Sequence, residues 1–269
     1  MVQKKKFTDD DIKSIIKQYT EGVSQRKLAK QFLVDPSVIK RVLKEHNLTI
    51  RGVSSNGKLY TWNDNYFENI NTEDKAYWLG FLMADGYVTK GKVIGVKLAL
   101  KDKGHLEKLR DSLGSNIPIH VYKSNTGSYS GENYSYCVFN ITSEKMYQDL
   151  VNKGLTPNKS KTLEFPNIIP ELIPHFIRGY FDGDGSVYNS KNGVRFNMLG
   201  TSQFLSVVKP IIAPKSKSKI YESKGISYIS LSGDNARTAL KLLYNNATIY
   251  LDRKYIKYQE LVIDNVQRL

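Results

Sequence analysis

Apolar residues recur along this chain in helical and in alternating rhythms, and the order of those rhythms repeats. Ile12, Ile15, Ile16 and Tyr19 follow Thr8 and the acids Asp9, Asp10 and Asp11 at helical spacing, which predicts a capped helix that Gly22 ends. Ser24 caps a second helix over Gln25 to Phe32, with Leu28, Ala29 and Phe32 inward. A tight turn through Leu33 and Val34 leads to Asp35, a cap, and Pro36, suited to the first helical position. Val38, Val42 and Leu43 make the apolar face of this third helix, and Ser37, Lys40, Arg41 and Lys44 point outward.

Residues 1–48 therefore read as a small all-α domain. Residues 49–70 are assigned as a linker, by composition over Arg51-Gly52-Val53-Ser54-Ser55-Asn56-Gly57-Lys58, while Tyr60 to Ile70 fits either an adaptor or an irregular start of the next domain. From Asn71 the rhythm becomes helix, two strands, helix, two strands, helix, and it occurs twice, over 71–165 and 166–269. The fold class is α+β, with two pseudo-symmetric halves, each αββαββα. Asp184 lies 99 positions after Asp85, and Leu205 lies 99 after Leu106. The strands between fit better at 98, pairing Lys97 with Arg195 and Leu98 with Phe196, so a one-residue irregularity is expected before the helix. Strand alternation puts Ile94, Val96, Leu98 and Leu100 on one face and Gly95, Lys97, Ala99 and Lys101 on the other. In the second half Phe196 and Met198 oppose Arg195 and Asn197, while Lys219, Tyr221 and Tyr228 lie on mixed strands.

Each half is built around one stretch: Trp78-Leu79-Gly80-Phe81-Leu82-Met83-Ala84-Asp85-Gly86, and Ile177-Arg178-Gly179-Tyr180-Phe181-Asp182-Gly183-Asp184-Gly185. Gly80 and Ala84, like Gly179 and Gly183, are four apart and share a helical face. Small residues there let two helix backbones cross closely. Asp85 and Asp184 then leave the crossing side by side, with Gly86 and Gly185 as helix stops. A carboxylate is disfavoured at a negative helix terminus, and two close carboxylates repel. A divalent cation between them removes both costs. Hard oxygen ligands suit Mg²⁺, with Mn²⁺ or Ca²⁺ as substitutes, and acids plus metal suit phosphodiester hydrolysis.

These residues resemble the two copies of the LAGLIDADG motif in single-chain homing endonucleases, over roughly residues 60 to 269. The first copy departs from the motif at Met83, where the second carries Asp182. The resemblance implies saddle-like antiparallel sheets, a monomer, and a site-specific double-strand DNA endonuclease that cuts across the minor groove and leaves short 3′ overhangs. It also implies one active-site lysine per half. Lys159 and Lys254 stand at the corresponding places, with Lys161 and Arg253 as near alternatives. The N-terminal segment resembles the helix-turn-helix domains of resolvase-like and repressor-like proteins, in which the second helix of the motif enters the major groove. That assigns DNA contact to Ser37, Lys40, Arg41 and Lys44. The wet sheet faces add Lys97, Lys101, Arg195, Asn197, Lys219, Tyr221 and Tyr228. An alternative within the same family is a relative that binds nucleic acid without cutting, an intron RNA maturase or a transcription regulator.

Charge agrees with a polyanionic partner, here double-stranded DNA. The 269 residues carry a formal net charge of +14. Residues 1–60 hold 13 basic and 6 acidic residues, so half of that surplus sits in the first quarter of the chain. No apolar run reaches membrane-spanning length, and an intracellular, cytoplasmic protein is expected. Cys137 is the only cysteine, and His46, His105, His120 and His175 lack ligand spacing. A calcium loop beginning at Asp182 fails because its twelfth position is Gly193. A glycosidase would account for paired acids but not for the charge or the repeat. A self-splicing element is not expected, since Met1 and Val266-Gln267-Arg268-Leu269 offer neither a splicing nucleophile nor a terminal Asn.

Overall fold

The structure, a computed structural model, describes residues 7–48, 60–124, 134–191 and 193–263. The chain forms two compact units, residues 1–61 and 62–269. Residues 49–59 of the linker expected at 49–70 lie outside the described residues.

The smaller unit holds α1 (Asp9–Thr20), α2 (Gln25–Gln31) and α3 (Pro36–Glu45). Thr8 and Asp11 close a reciprocal capping box, and Ser24 and Asp35 cap the other two helices. The unit has its own core of Ile15, Tyr19, Leu28, Ala29, Ile39, Val42 and Leu43. Ile39 is fully buried where the sequence pattern put Val38, which is half-buried. Leu33 takes a left-handed φ of 56° in the turn before α3 and is 86% exposed.

The larger unit starts at Trp62. This corrects the expected linker boundary at residue 70, because Tyr66 and Phe67 are buried in the main core with Trp62 and Ile70 packed against it. Burial of large rings of this kind is worth roughly 1.5–3 kcal/mol each, so the stretch belongs to the fold.

The first half runs α4 (Glu73–Asp85), β1 (Gly86–Val88), β2 (Val93–Ala99), α5 (Lys103–Ser112), β3 (His120–Ser124), β4 (Tyr134–Thr142) and α6 (Glu144–Asn152). The second runs α7 (Ile173–Asp184), β5 (Gly185–Ser190), β6 (Gly193–Gly200), α8 (Ser202–Ile212), β7 (Ile220–Ser223), β8 (Ile226–Ser232), α9 (Gly233–Tyr244) and α10 (Asp252–Tyr258). Each half contributes one four-stranded antiparallel sheet, ordered β1-β2-β4-β3 and β5-β6-β8-β7. One face of each sheet is apolar, with Ile94, Val96, Leu98, Phe196 and Met198 buried.

Strand register corrects the expected offset of 98. Gly86 faces Val96, whereas Gly185 faces Met198, so the second hairpin is three residues longer than the first. Lys97 therefore corresponds to Leu199, and Arg195 to Val93. The helices return to step because the first half inserts a three-residue 3-10 turn, Leu100–Asp102, before α5. Leu100 and Lys101 thus leave the strand, and Leu100 is 40% exposed.

The halves meet through α4 and α7, whose sequences are apolar on nearly every side because both helices are enclosed. Arg178 of α7 is 1% exposed and crosses between the halves. It donates to Glu73 Oε1 of α4 (2.6 Å) and to the carbonyls of Leu243 (2.9 Å) and Ile249 (2.9 Å). Glu73 also accepts from the Thr248 amide (2.9 Å). Arg178→Met is expected to lower unfolding free energy by about 3–5 kcal/mol, since it strands a carboxylate and two buried carbonyls. Urea denaturation checks this; a loss below about 1 kcal/mol would contradict a structural role for the ion pair.

Candidate active site and nucleic-acid interface

Gly80 lies against the Phe176 backbone, and Gly179 against the Tyr77 backbone. A Cβ on Gly80 would stand 2.0 Å from the Phe176 carbonyl oxygen, and one on Gly179 would stand 1.9 Å from that of Tyr77. A Cβ on Gly183 would stand 2.3 Å from the Ala84 methyl and 3.4 Å from Asp85 Cγ. All four small residues singled out in the sequence thus lie in the crossing. Asp85 and Asp184 are the last residues of α4 and α7.

Gly86 and Gly185 are the stops of α4 and α7, as the sequence leads one to expect. Gly86 and Gly185 have φ of −79° and −102°, extended rather than left-handed. What requires glycine is space. A Cβ at Gly86 would meet the Leu82 carbonyl at 2.6 Å, and one at Gly185 the Phe181 ring at 2.1 Å. The chain can therefore turn from helix straight into β1 and β5 with each acid held at the turn.

Asp85 is open to solvent at one side, yet its carboxyl is pushed up to about 6 by desolvation and by the Asp184 charge, with Lys254, Lys159 and Arg253 opposing. Asp184 is half-buried and also raised by burial, against the pull of Lys159 and Lys254 and a hydrogen bond from Tyr180. Both carboxyls are thus strained as anions, and a bound cation would relieve that strain. Among the described residues no group of three or more His, Cys, Asp and Glu gathers in a metal-binding arrangement. Two carboxylates nonetheless fit Mg²⁺, which commonly binds through one or two and completes its shell with water and phosphate oxygens.

Lys159 and Lys254 stand at these helix ends, where orphan carbonyls and the dipole favour a cation. Lys159 Nζ donates to the carbonyls of Ala84 (3.1 Å) and Gly86 (2.6 Å). Lys254 Nζ donates to those of Phe181 (2.5 Å), Asp182 (2.8 Å) and Gly185 (2.6 Å). The two are not equal. Lys254 is 3% exposed, its three N–H groups are all engaged by backbone, and burial lowers its pKa to about 8. Lys159 is half-buried, and among the described residues its third N–H has no protein acceptor. It lines a cleft of about 570 Å³ with Lys161, Tyr180 and Asp184. Arg253 pairs instead with Asp102 (3.2 Å), and Lys161 is exposed.

Asp182 is a residue to which sequence pattern assigned no role. It is fully buried and accepts from Tyr77 Oη (2.7 Å), Tyr244 Oη (2.5 Å) and the Leu251 amide (2.7 Å). Tyr77 Oη also meets His105 Nε2 (3.0 Å), a buried imidazole whose pKa burial lowers to about 3. These bonds tie the segment leading into α10, and so Lys254, to both motif helices. The one sequence signal for this role is an acid on a helix face where the first copy has Met83.

The exposed sheet faces are polar and aromatic. Lys97 is exposed on β2 and lies 3.7 Å over the Tyr136 ring, which stacks on Tyr122 at 5.3 Å. Tyr221 and Tyr228, opposite one another on β7 and β8 of the second sheet, stack at 5.4 Å. With Arg195, Lys217 and Ser230 they line a groove of about 410 Å³. Asn197 is half-exposed on β6, Lys219 is exposed just before β7, and Lys101 is exposed in the 3-10 turn. Ser37, Lys40, Arg41 and Lys44 are exposed on α3, with Arg41 3.7 Å from Glu45.

Residues 171–203, which span α7 and the strands after it, match the LAGLIDADG-like domain family. A 126-residue stretch is 32% identical to part of the DNA-directed RNA polymerase subunit Rpo1C of Methanocaldococcus jannaschii, covering 45% of this chain and 14% of that protein. The chain thus spans a small fraction of that relative. Similar solved structures include the homing endonuclease I-WcaI bound to its DNA recognition sequence (15% identity, 81% of this chain and 97% of that one, TM-score 0.49). They also include the LAGLIDADG meganuclease I-CpaMI bound to uncleaved DNA (13%, 72% and 92%, 0.46) and the N-terminal LAGLIDADG domain of DUF199/WhiA (14%, 72% and 93%, 0.44). No helix among the described residues is long and apolar enough to cross a membrane.

Proposed function

We propose that this chain is a site-specific, divalent-metal-dependent endonuclease of double-stranded DNA, acting as a monomer. The observation that carries the reading is the convergence of Asp85 and Asp184 at one helix crossing, each beside a buried or half-buried lysine. Asp85 and Asp184 would hold the metal, which supplies charge neutralisation at the phosphate and a more acidic water. The chain's own groups divide the remaining work. Tyr180 and Gly183 fix the positions of the two carboxyls. Lys159 directs its remaining N–H to a phosphate oxygen, placing a fixed donor where negative charge grows. Lys254 raises the local potential from within the backbone and holds the end of α7 in place.

The Lys97 and Arg195 faces of the sheets lie along the duplex and give register and sequence preference. Residues 1–48 add a second contact through α3. The test is a cleavage assay on plasmid carrying the candidate site, with Mg²⁺ and then with EDTA. Binding without cutting in Mg²⁺ would overturn the nuclease reading in favour of a non-cleaving relative. Removing residues 1–48 is expected to leave a folded nuclease that binds less tightly and with a shallower dependence on salt, because phosphate contacts are lost. Equal affinity and equal salt slope in fluorescence anisotropy would remove α3 from the interface.

A further inference from the structure

Three residues lie directly opposite one another across the first sheet: Tyr87 on β1, Gly95 on β2 and Asn140 on β4. Gly95 in the middle leaves a gap on the exposed face. The Tyr87 ring fills it from one side and the Asn140 amide from the other. A Cβ on Gly95 would stand 2.2 Å from Asn140 Oδ1 and 2.4 Å from Tyr87 Cζ. Over the glycine Tyr87 Oη donates to Asn140 Oδ1 at 2.7 Å.

The arrangement does little for stability. Asn140 is exposed and Tyr87 is 37% exposed, and a hydrogen bond between wet groups contributes little, since water competes for both. Its effect is orientation. With Oδ1 engaged, the two N–H groups of the amide are the part left to face outward, on the same face as Lys97. The corresponding residues of the second half are Ser186, Asn197 and Ser230. There the middle position has its own side chain, and Asn197 Nδ2 reaches only Ser186 Oγ at 3.5 Å. The feature belongs to one half and thus to one end of a bound duplex.

An asparagine in the major groove ordinarily reads adenine with both amide atoms, oxygen to N6 and nitrogen to N7. With its oxygen turned onto Gly95 and bonded to Tyr87, the amide presents its N–H groups rather than its oxygen to the groove, which matches guanine, with acceptors at N7 and O6. We propose that Asn140 is a specificity-determining residue, presented as a donor by Tyr87 across Gly95 and selecting guanine over adenine at one position of the target. This rests on the duplex-DNA reading above.

The test starts from random duplexes, so the target sequence need not be known. Those bound by the full chain in EDTA are selected and sequenced for the native protein, Tyr87→Phe and Asn140→Ala. The native protein should enrich a motif with guanine at one position. Asn140→Ala should relax that position alone, by about fivefold or more in base preference. Tyr87→Phe should shift it toward adenine, a change that mere loss of a surface hydrogen bond would not produce. The same motif in all three proteins would overturn the assignment of Asn140 while leaving DNA binding intact. Failure of the native protein to enrich any duplex would overturn the DNA reading and this inference with it.

Discussion

Replacing Asp184 with Asn is expected to abolish cutting of both strands while duplex binding survives, and Asp85→Asn should do the same. The amide keeps shape and one oxygen but removes the charge that holds a metal. Loss of the metal's several kcal/mol of transition-state stabilisation corresponds to at least about 10³-fold in rate. Both cuts should fail together because the two acids share one environment. Asp85 packs on Gly183, next in sequence to Asp184. Lys159 and Lys254 each act on both carboxyls. The measurement is strand-specific cleavage of end-labelled duplex, with binding followed separately. Full double-strand cutting at the native rate by Asp184→Asn would remove the carboxylates from the catalytic centre.

The same substitution at Asp85 carries a second, opposite readout. Folding raises this carboxyl from an ordinary value near 3.8 to about 6. A group raised on folding favours the folded state fully below its unfolded pKa, and that contribution is lost as pH rises through the folded value. Metal-free Asp85→Asn should therefore be more stable than the native protein at pH 7 and equal to it near pH 4. Two pKa units correspond to about 3 kcal/mol in full. Asp85 is open to solvent on one side, and screening reduces this to about 1 kcal/mol. Melting temperatures in EDTA across that range decide it. A difference that does not change with pH would show that the strain on Asp85 is not electrostatic.

What could be read from the chain alone follows from what periodicity encodes. Helices and strands of the repeat lie close to where apolar spacing puts them, and the four small residues at the crossing were legible because a face without side chains has few other uses. Register was not legible. Hairpin length in β5–β6 and the Leu100–Asp102 turn compensate one another, so the helices stay in step and conceal a three-residue shift in the strands between. Polar partners across the halves were also hidden. Arg178 and Asp182 look like interruptions of an apolar helix, and their acceptors and donors come from residues about 60 to 105 positions away. Lys159 and Lys254 were placed by resemblance, and spacing said nothing of how differently their N–H groups are used. Residues 62–70 read as linker because two buried aromatic rings in a short irregular stretch leave no periodic trace.

Gly179→Ala is expected to destabilise the larger unit by about 3 kcal/mol or more, although alanine normally favours a helix over glycine by about 1 kcal/mol. The sign reverses because the added methyl has nowhere to go. It would stand 1.9 Å from the Tyr77 carbonyl oxygen, 2.8 Å from its carbon and 3.0 Å from the Phe81 nitrogen. These are backbone atoms of a hydrogen-bonded helix and cannot rotate away as a side chain would. Ordinary overpacking costs about 1–3 kcal/mol because neighbours adjust; here the helices must separate, and with them the buried rings of Tyr77, Phe81, Phe176 and Phe181. Gly80→Ala, which meets the Phe176 carbonyl oxygen at 2.0 Å, should behave alike. Gly104 in α5 provides the control, since a Cβ there meets nothing within 4 Å. Gly104→Ala should raise stability by roughly 0.5–1 kcal/mol. The comparison is urea denaturation of the three variants. Separation of α4 from α7 also moves Asp85 from Gly183, so any Gly179→Ala protein that still folds should cut DNA more slowly than its stability alone explains. A Gly179→Ala protein as stable as Gly104→Ala would mean that the two helices do not cross at these glycines.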